Sequence, residues 1–221
     1  MITSTSSSAR NGIVERCIND DQTRLRLKYN PYYLPFDKQI GSHVWLDGKE
    51  LIMLSSNDYL GLSDHPKVIE AGKKALEDWG GGTTGSRFAN GSRYFHKKLE
   101  ADLANFLGKE ACHVSVAGYI SCMSSIESFA RKGDLIIVDR NVHSSLWAGI
   151  ANTGARLERF GHNNTESLKK VLEKESPEIA KMLVVEGIFS MEGHIANLLD
   201  YLTVIQNQNC FFVVDDAHGF G

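Results

Sequence analysis

The feature that most constrains the fold is an alternation of apolar, β-rich segments with segments of helical periodicity. The apolar segments lie at 112–116, 135–138, 182–185 and 211–214, with a half-polar fifth at 156–160. Helical patterns fill the intervals, around 119–131, 143–153, 165–175 and 197–207. Strands buried on both faces are apolar throughout, and parallel strands need crossover helices. The chain therefore predicts an α/β fold with a mostly parallel sheet flanked by helices.

The residues before 112 do not show this alternation. Residues 1–12 are rich in Ser and Thr and are predicted to be disordered, and the polar stretch 13–29 predicts a surface helix. The proline-containing NPYYLPFD at 30–37 predicts an extended arm that packs on another surface. We assign 1–42 to a tail and an N-terminal arm, and 43–221 to the first part of a larger domain.

Three further elements are predicted between the arm and the alternating region. Asp47-Gly48 lies between two short apolar runs, 44–46 and 51–54, and predicts a β-hairpin. Helical stripes at 66–79 and 95–107 follow, the second ending at Gly108, where a helix C-cap glycine is expected.

Composition excludes several classes of partner. The 221 residues are 42% hydrophobic with a net charge of −3, which gives no electrostatic footprint for nucleic acid or an anionic membrane. The four cysteines have neither CxxC nor metal spacing, so we expect reduced thiols and no metal site. The start MITSTSSSAR lacks the apolar segment of a signal peptide, and no apolar run approaches the roughly 20 residues of a membrane-spanning helix. These features predict a cytoplasmic protein.

Glycine and polar residues follow the apolar segments, where α/β sheets bind their ligands. In chain order they are Gly118, Tyr119, His143, Glu186, Ser190, Asp215, Asp216 and His218. Each alone has an ordinary explanation: a turn glycine, a helix-capping or core histidine, loop polar groups, or aspartates that cap the next helix. Together, at successive strand ends, they favour a site at one rim of the sheet.

Two loops have equally open interpretations. The Gly-rich stretch 80–87 is neither a P-loop nor a GxGxxG motif, and Arg87 and Arg93 beside it either meet an anionic substrate or lie on the solvated surface. The segment NDYLGL at 57–62 is either a capped turn or a loop that contributes to a site.

Five segments resemble the α-oxoamine synthases, which are aspartate-aminotransferase-like, fold-type I enzymes that use pyridoxal 5′-phosphate (PLP). They are SSNDYLGLSDHPKVIEA (55–71), GSRFANGSRYFHKKLEADLANFLG (85–108), HSSL (143–146), EGIFSMEG (186–193) and VVDDAHGFG (213–221). The family includes 8-amino-7-oxononanoate synthase, 2-amino-3-ketobutyrate CoA ligase, 5-aminolevulinate synthase and serine palmitoyltransferase. The resemblance covers 43–221, and NDYLGL with EGIFSMEG disfavours an ordinary aminotransferase.

The resemblance implies roles for the residues at the strand ends. Gly118 and Tyr119 match the pair whose backbone amides contact the cofactor phosphate. His143 matches the histidine that stacks on the pyridine ring and approaches the substrate. Asp215 matches the aspartate that pairs with the pyridine nitrogen and keeps it protonated, so that the ring accepts electrons.

The remaining roles are implied in the same way. His218 and Ser190 match residues that hydrogen-bond the cofactor, including its 3′-oxygen, and His218 joins His143 and Asp215 as a catalytic residue. Glu186 matches a group behind the cofactor contacts, and Asn57 a neighbour of the substrate.

The reaction implied by the resemblance condenses a small amino acid (serine, glycine or alanine) with an acyl thioester of coenzyme A or acyl carrier protein. Carbon dioxide is released and an α-aminoketone is formed. Family members are homodimers with active sites at the subunit interface, so a homodimer embraced by the N-terminal arm is expected.

The sequence stops at Gly221, before the strand that carries the family's Schiff-base lysine and before its C-terminal domain. Lys132 and Lys181 lie elsewhere in the pattern. We therefore expect a fragment of an enzyme that is inactive alone and poorly soluble because of an unpaired strand edge. The alternative is a non-catalytic partner subunit of a serine-palmitoyltransferase-like complex. Retention of the DDAH cluster favours the first reading.

Overall fold

The computed structural model describes residues 12–26 and 32–221, which belong to two compact units divided between Lys73 and Lys74. The first unit contains, in order, α1 (Gly12–Leu25), β1 (Lys38–Ile40), β2 (His43–Leu46) and β3 (Lys49–Ile52), and α2 spans Pro66–Trp79. The helix predicted over 13–29 is confirmed as far as Leu25 and is largely exposed. The disorder predicted for 1–12 and the beginning of the predicted arm fall outside the described residues. The domain boundary at 42/43 stays a prediction.

The hairpin predicted at Asp47-Gly48 is confirmed. β2 and β3 pair antiparallel with Leu46 opposite Lys49, and the two turn residues have left-handed φ angles of 50° and 72°. A two-residue type I′ turn requires this conformation at both positions. The pairing of β1 with β2 was not predicted, because the three exposed residues KQI carry no alternating pattern.

The second unit is built around a four-stranded sheet in the order β5-β4-β6-β7, with every pair parallel. Its elements are α3 (Tyr94–Leu107), α4 (Gly118–Phe129), β4 (Leu135–Asp139), α5 (Ser144–Thr153), β5 (Arg156–Phe160), α6 (Thr165–Leu172), β6 (Lys181–Glu186), α7 (Leu198–Ile205) and β7 (Cys210–Asp215). The two central strands are buried at every position, which explains why their sequences are almost continuously apolar. The predicted parallel sheet and the helices between its strands are confirmed.

The two outer strands differ from the central ones. β5 is exposed except at Phe160, which accounts for its half-polar sequence. Among the described residues, β7 pairs on one side only, and its Phe211 remains 51% exposed beside Phe129, with ring centroids 5.1 Å apart. Such an apolar edge is the feature on which the expected poor solubility depends. That solubility remains a prediction.

The strand predicted at 112–116 is wrong. This segment has no regular secondary structure, and side chains supply its hydrogen bonds: Val114 N donates to Glu100 Oε1 at 3.0 Å, and Val114 O accepts from Arg87 Nη1 at 2.8 Å. An apolar, β-branched segment becomes a strand only beside another strand, and none of the described strands pairs with it. It nevertheless leads into a helix at Gly118, as predicted.

The ion pair between Arg87 and Glu100, which holds the 112–116 segment, makes the free energy of unfolding depend on pH. Hydrogen bonds from Arg87 and from Val114 N lower the pKa of Glu100 from 4.5 to about 2. A carboxyl whose pKa is depressed in the folded state stabilises that state above pH 4.5, and the stabilisation is lost as the pH falls towards 2. We expect Glu100→Gln to lower the urea midpoint at pH 7 and to differ little from wild type near pH 2.

The matched control lies on the same helix. Asp102 forms an exposed i,i+4 pair with Lys98, and exposed pairs contribute little to stability. Asp102→Asn is therefore expected to keep a small, nearly constant difference from wild type between pH 7 and pH 2. A Glu100→Gln difference that is equally constant with pH would show that the pair with Arg87 contributes nothing to acid sensitivity.

Helices α4 and α5 approach closely at Gly149. A Cβ atom added there would lie 2.6 Å from Met123 O and 3.0 Å from Ile126 Cβ. Glycine at this position therefore lets the two backbones come together. Because α4 and α5 both begin at the carboxyl end of the sheet, their close packing brings the polar side chains of their first turns together.

Gly149→Ala should destabilise the protein, because the new methyl group meets backbone and a buried side chain. Overpacking of this kind costs about 1–3 kcal/mol, measurable as a lower urea midpoint at unchanged slope. Gly72→Ala is the matched control, since a Cβ at Gly72 in α2 has no neighbour within 4 Å. There the substitution should stabilise by up to about 1 kcal/mol through helix propensity. Equal effects of the two substitutions on the urea midpoint would contradict the close approach of α4 and α5 at Gly149.

Candidate active site

The parallel register brings polar side chains to one rim of the sheet. β6 and β7 run side by side from Lys181 opposite Cys210 to Glu186 opposite Asp215, so two carboxylates end neighbouring strands. The polypeptide continues from these ends into turns that carry Ser190 and His218. The convergence predicted from the sequence is therefore present at the carboxyl end of the sheet.

The carboxylate of Asp215 is held at both oxygens. Oδ2 accepts a hydrogen bond from the Cys122 thiol at 3.2 Å, and Oδ1 accepts one from Ala217 N at 3.2 Å. These contacts come from α4 on one side and from the turn after β7 on the other. They fix the orientation of the carboxylate and leave further lone pairs for a ligand, since each carboxylate oxygen can accept two hydrogen bonds.

Glu186 is only 2% exposed, and its two oxygens differ. Oε2 accepts a hydrogen bond from Ser190 N at 3.0 Å, whereas Oε1 is buried with no hydrogen-bond partner among the described residues. Burial raises the pKa of Glu186, the hydrogen bond from Ser190 N opposes that effect, and the negative charge of Asp215 adds to it. An orphaned buried oxygen beside a second carboxylate is typical of a site that a polar ligand completes.

His143 is the N-cap residue of α5. Its Nδ1 accepts a hydrogen bond from Ser145 N at 3.3 Å and lies 2.7 Å from Ser145 Oγ. Because Nδ1 acts as the acceptor, the neutral ring carries its proton on Nε2. The ring is exposed and stands edge-on to Tyr119, with centroids 6.2 Å apart. His143 therefore both caps α5 and lies at the rim of the sheet.

The N-terminus of α4 is open at the same rim. Its N-cap residue, Ala117, makes no side-chain hydrogen bond, and the first helical bond runs from Ser121 N to Ala117 O. Helices leave their first N–H groups unsatisfied, so those of Gly118 and Tyr119 are available to an anion. A Cβ at Gly118 would meet nothing within 4 Å, so the approach to these amides is clear.

Three of the other predicted contacts are placed as follows. Ser190 is exposed in the turn after β6, and His218 is half-buried in the turn after β7. Asn57 belongs to the first unit, where it is exposed and accepts a hydrogen bond from Tyr59 Oη at 3.3 Å. Its role as a substrate neighbour stays a prediction. The capped-turn interpretation of this loop is supported by Asp58, which accepts from Leu62 N at 2.9 Å.

Neither arginine beside the Gly-rich loop is a simple surface residue. Arg87 binds Glu100, and Arg93 donates to the carbonyl oxygens of Asn90 at 2.7 Å and Thr83 at 3.0 Å. Both guanidinium groups hold the 80–93 segment in place. Their contacts therefore favour a structural role over the alternative of binding an anionic substrate.

Sequence reasoning missed two residues of the site, Cys122 and Ser145. They lie on α4 and α5, where Cys122 meets Asp215 and Ser145 meets His143. A cavity of about 220 Å³, lined in part by Cys122, Ser125 and Asp215, opens beside them. The available signal was helical periodicity, since Cys122 comes one turn after Gly118 on the same helix.

A second polar cluster lies on the rim, around Asp139, whose position at a strand end was predicted but whose contacts were not. Asp139, which ends β4, is fully buried and accepts hydrogen bonds from Asn141 N at 2.9 Å, Asn163 N at 2.7 Å and His162 Nδ1 at 3.0 Å. His162 Nε2 lies 2.9 Å from His194 Nδ1. The cluster ties together the ends of β4 and β5 and the turn before α7, so it supports the rim on which the site stands.

Comparisons with known proteins agree with this site. Residues 49–221 match the family described as Aminotransferase class I and II. A serine palmitoyltransferase from Sphingobacterium spiritivorum is 36% identical over 190 residues, 86% of this chain and 48% of that protein. An 8-amino-7-oxononanoate synthase from Saccharophagus degradans is 43% identical over 173 residues, 78% of this chain and 43% of that protein. The solved structure of a serine palmitoyltransferase from S. paucimobilis with PLP and myriocin bound has a TM-score of 0.88 at 33% identity, covering 93% of this chain and 52% of that one.

The chain therefore belongs to the aminotransferase class I and II family, and within it to the α-oxoamine synthases, fold-type I enzymes whose cofactor is PLP. It spans about half the length of the curated relatives it matches. The residues present fit PLP: open helix amides suit its phosphate, a fixed carboxylate suits its ring nitrogen, and Glu186 Oε1 lacks a partner within the part of the chain that the structure describes. Among the described residues, no helix combines the length and apolar character needed to cross a membrane.

Proposed function

We propose that this chain forms the cofactor-binding part of an α-oxoamine synthase that condenses serine, glycine or alanine with an acyl thioester and releases carbon dioxide. The acyl donor is carried by coenzyme A or acyl carrier protein. The observation that carries the proposal is the grouping of Asp215, His143 and the open N-terminus of α4 at one rim. Three groups of different chemistry at one rim match the three parts of PLP that need a partner: nitrogen, ring and phosphate.

Each residue has a role that follows from its surroundings. The N–H groups of Gly118 and Tyr119 would hold the phosphate, Asp215 the ring nitrogen, and His143 would lie against the ring, with Ser190 and His218 as further hydrogen-bonding partners. When bound, PLP supplies an electron sink for the carbanion formed at the substrate Cα. Asp215 keeps its orientation between a thiol and a backbone N–H, so its free lone pairs are preorganised.

Two features support the homodimer and its location in the cytoplasm. Phe88 and Val116 are almost fully exposed, and large apolar side chains in that state are typical of surfaces that meet a partner. A second copy of the chain is the partner we propose. The four described cysteines are all free thiols, as in a reducing compartment.

We further propose that these 221 residues do not turn over alone. Lys181 is buried at the amino end of β6, where Nζ donates to Ser176 O and Ile179 O, and five residue steps along the strand, about 16 Å, separate it from Glu186. Lys132 precedes β4 at the same amino edge. A non-catalytic partner subunit is the alternative function, and the joint retention of His143, Asp215 and His218 argues against it.

The test combines a binding and a turnover assay on the purified chain. PLP binding is measured by absorbance, and release of coenzyme A thiol is measured with each amino acid and acyl-CoA thioesters of increasing length. We expect saturable PLP binding without thiol release. Failure to bind PLP would overturn the cofactor site, whereas thiol release would overturn the proposed inactivity and would identify the substrates through the products.

A further inference from the structure

The thiol of Cys122 is placed against the central carboxylate of the site. Its sulfur lies 3.2 Å from Asp215 Oδ2, although the two residues are 93 positions apart in the chain. Cys122 is half-buried on the first turns of α4, and Asp215 ends β7. The contact therefore joins the helix whose N-terminus offers the amides to the strand that offers the carboxylate.

The thiol can act here only as a donor at neutral pH. Burial and the negative charge of Asp215 raise the pKa of Cys122 to about 11. Nucleophilic cysteines have a lowered pKa, so this thiol is not a nucleophile. A protonated thiol has one hydrogen to donate, and the carboxylate of Asp215 is the acceptor within reach.

The contact restricts the carboxylate in a way that packing alone does not. Ala217 N holds Oδ1 and the Cys122 thiol holds Oδ2, so removal of the thiol leaves the carboxylate fixed at one oxygen only. Ser145 is buried between Cys122 and His143, with its hydroxyl 2.7 Å from His143 Nδ1. The same small cluster thus supports the two groups on either side of the site.

We propose that Cys122 is a positioning residue of the PLP site, whose thiol orients the Asp215 carboxylate toward the ring nitrogen of the cofactor. The inference rests on the proposed function, since it assigns Cys122 a role only through Asp215. It adds a residue of α4 to the part of the site that recognises the nitrogen, beside the amides of the same helix that recognise the phosphate.

The first test is a double-mutant cycle on PLP affinity. The thiol supplies one of the two hydrogen bonds that fix the Asp215 carboxylate, so Cys122→Ala should weaken PLP binding roughly 3- to 10-fold. Cys122→Ser keeps a donor and should stay within about 2-fold of wild type. In the Asp215→Asn background the effect of Cys122→Ala should fall below about 2-fold, because coupled residues are not additive. Equal losses in both backgrounds, or no loss at all, would overturn the proposal.

The second test measures the contact between the Cys122 thiol and the Asp215 carboxylate in the absence of PLP. In a chain with Cys17, Cys112 and Cys210 replaced by alanine, the reaction of Cys122 with a disulfide reagent is followed from pH 7 to pH 11. Asp215→Asn should shift the rate profile to lower pH by removing a negative charge, and an unchanged profile would overturn the contact. If Asp215→Asn shifts the profile but the wild-type chain fails to bind PLP, the proposed function and the cofactor role are refuted, while the thiol–carboxylate contact stands. Far-ultraviolet circular dichroism confirms the folding of each variant.

Discussion

Replacing Asp215 by asparagine is expected to weaken PLP binding by at least about 30-fold. The substitution preserves shape but removes the charge that pairs with a protonated ring nitrogen, and loss of one partner of a desolvated charge pair costs about 2–5 kcal/mol. Hydrogen bonds from the Cys122 thiol and from Ala217 N already fix the orientation of the carboxylate, so PLP binding does not have to order it. Absorbance titration of the purified variant with PLP measures the change.

The neighbouring carboxylate provides the matched control. Asp216 is exposed. Its Oδ1 would lie 2.1 Å from a Cβ added at Gly187 and 2.2 Å from one added at Gly219, so the carboxylate fills the space beside these two glycines. Asp216→Asn keeps this shape and should change PLP affinity by less than about 3-fold, as expected for an exposed charge. Equal weakening by the two substitutions would mean that general electrostatics, and not a pair with Asp215, governs binding.

Replacing Asp139 by alanine is expected to destabilise the protein by about 3–5 kcal/mol, as for removal of one partner from a buried charged network. Three donors, Asn141 N, Asn163 N and His162 Nδ1, would lose the fully buried carboxylate that accepts their hydrogen bonds. Urea denaturation measures the loss. A large effect is expected because buried donors left unsatisfied cost more than the hydrogen bonds themselves contribute.

The control for this prediction lies at the other end of the same strand. Asp134 precedes β4, is half-buried and accepts a hydrogen bond from Arg131 N at 2.8 Å. Asp134→Ala should cost about 0.5–1.5 kcal/mol, the contribution of a single hydrogen bond. If Asp139→Ala costs no more than this, the cluster with His162 is not the support of the rim that its geometry indicates.

The fold was predictable where burial decides the sequence. β4 and β6 occupy the centre of the sheet, so their residues are almost uniformly apolar and their strand character shows in the sequence. The segment 112–116 has the same composition but is not a strand, because strand formation depends on a neighbour that composition does not encode. β1 was missed for the converse reason: its exposed residues pair without an apolar pattern.

The residues of the site also divide into those that the sequence predicts and those that it does not. Asp215, His143 and Gly118 were predicted because each follows an apolar segment or opens a helix, and the parallel register then brings strand ends together. Cys122 was missed, and the contacts of Asp139 were not predicted, because both depend on packing between elements far apart in the chain. A thiol on a helix and an aspartate at the end of a strand have many possible partners, and only the tertiary structure selects among them.

A crystal structure of this chain with PLP bound would test the proposed cofactor site directly. We expect the phosphate on the backbone N–H groups of Gly118 and Tyr119, the ring nitrogen on the Asp215 carboxylate and the ring beside His143. PLP bound at another surface, or with its ring nitrogen away from Asp215, would show that the proposed cofactor site is wrong.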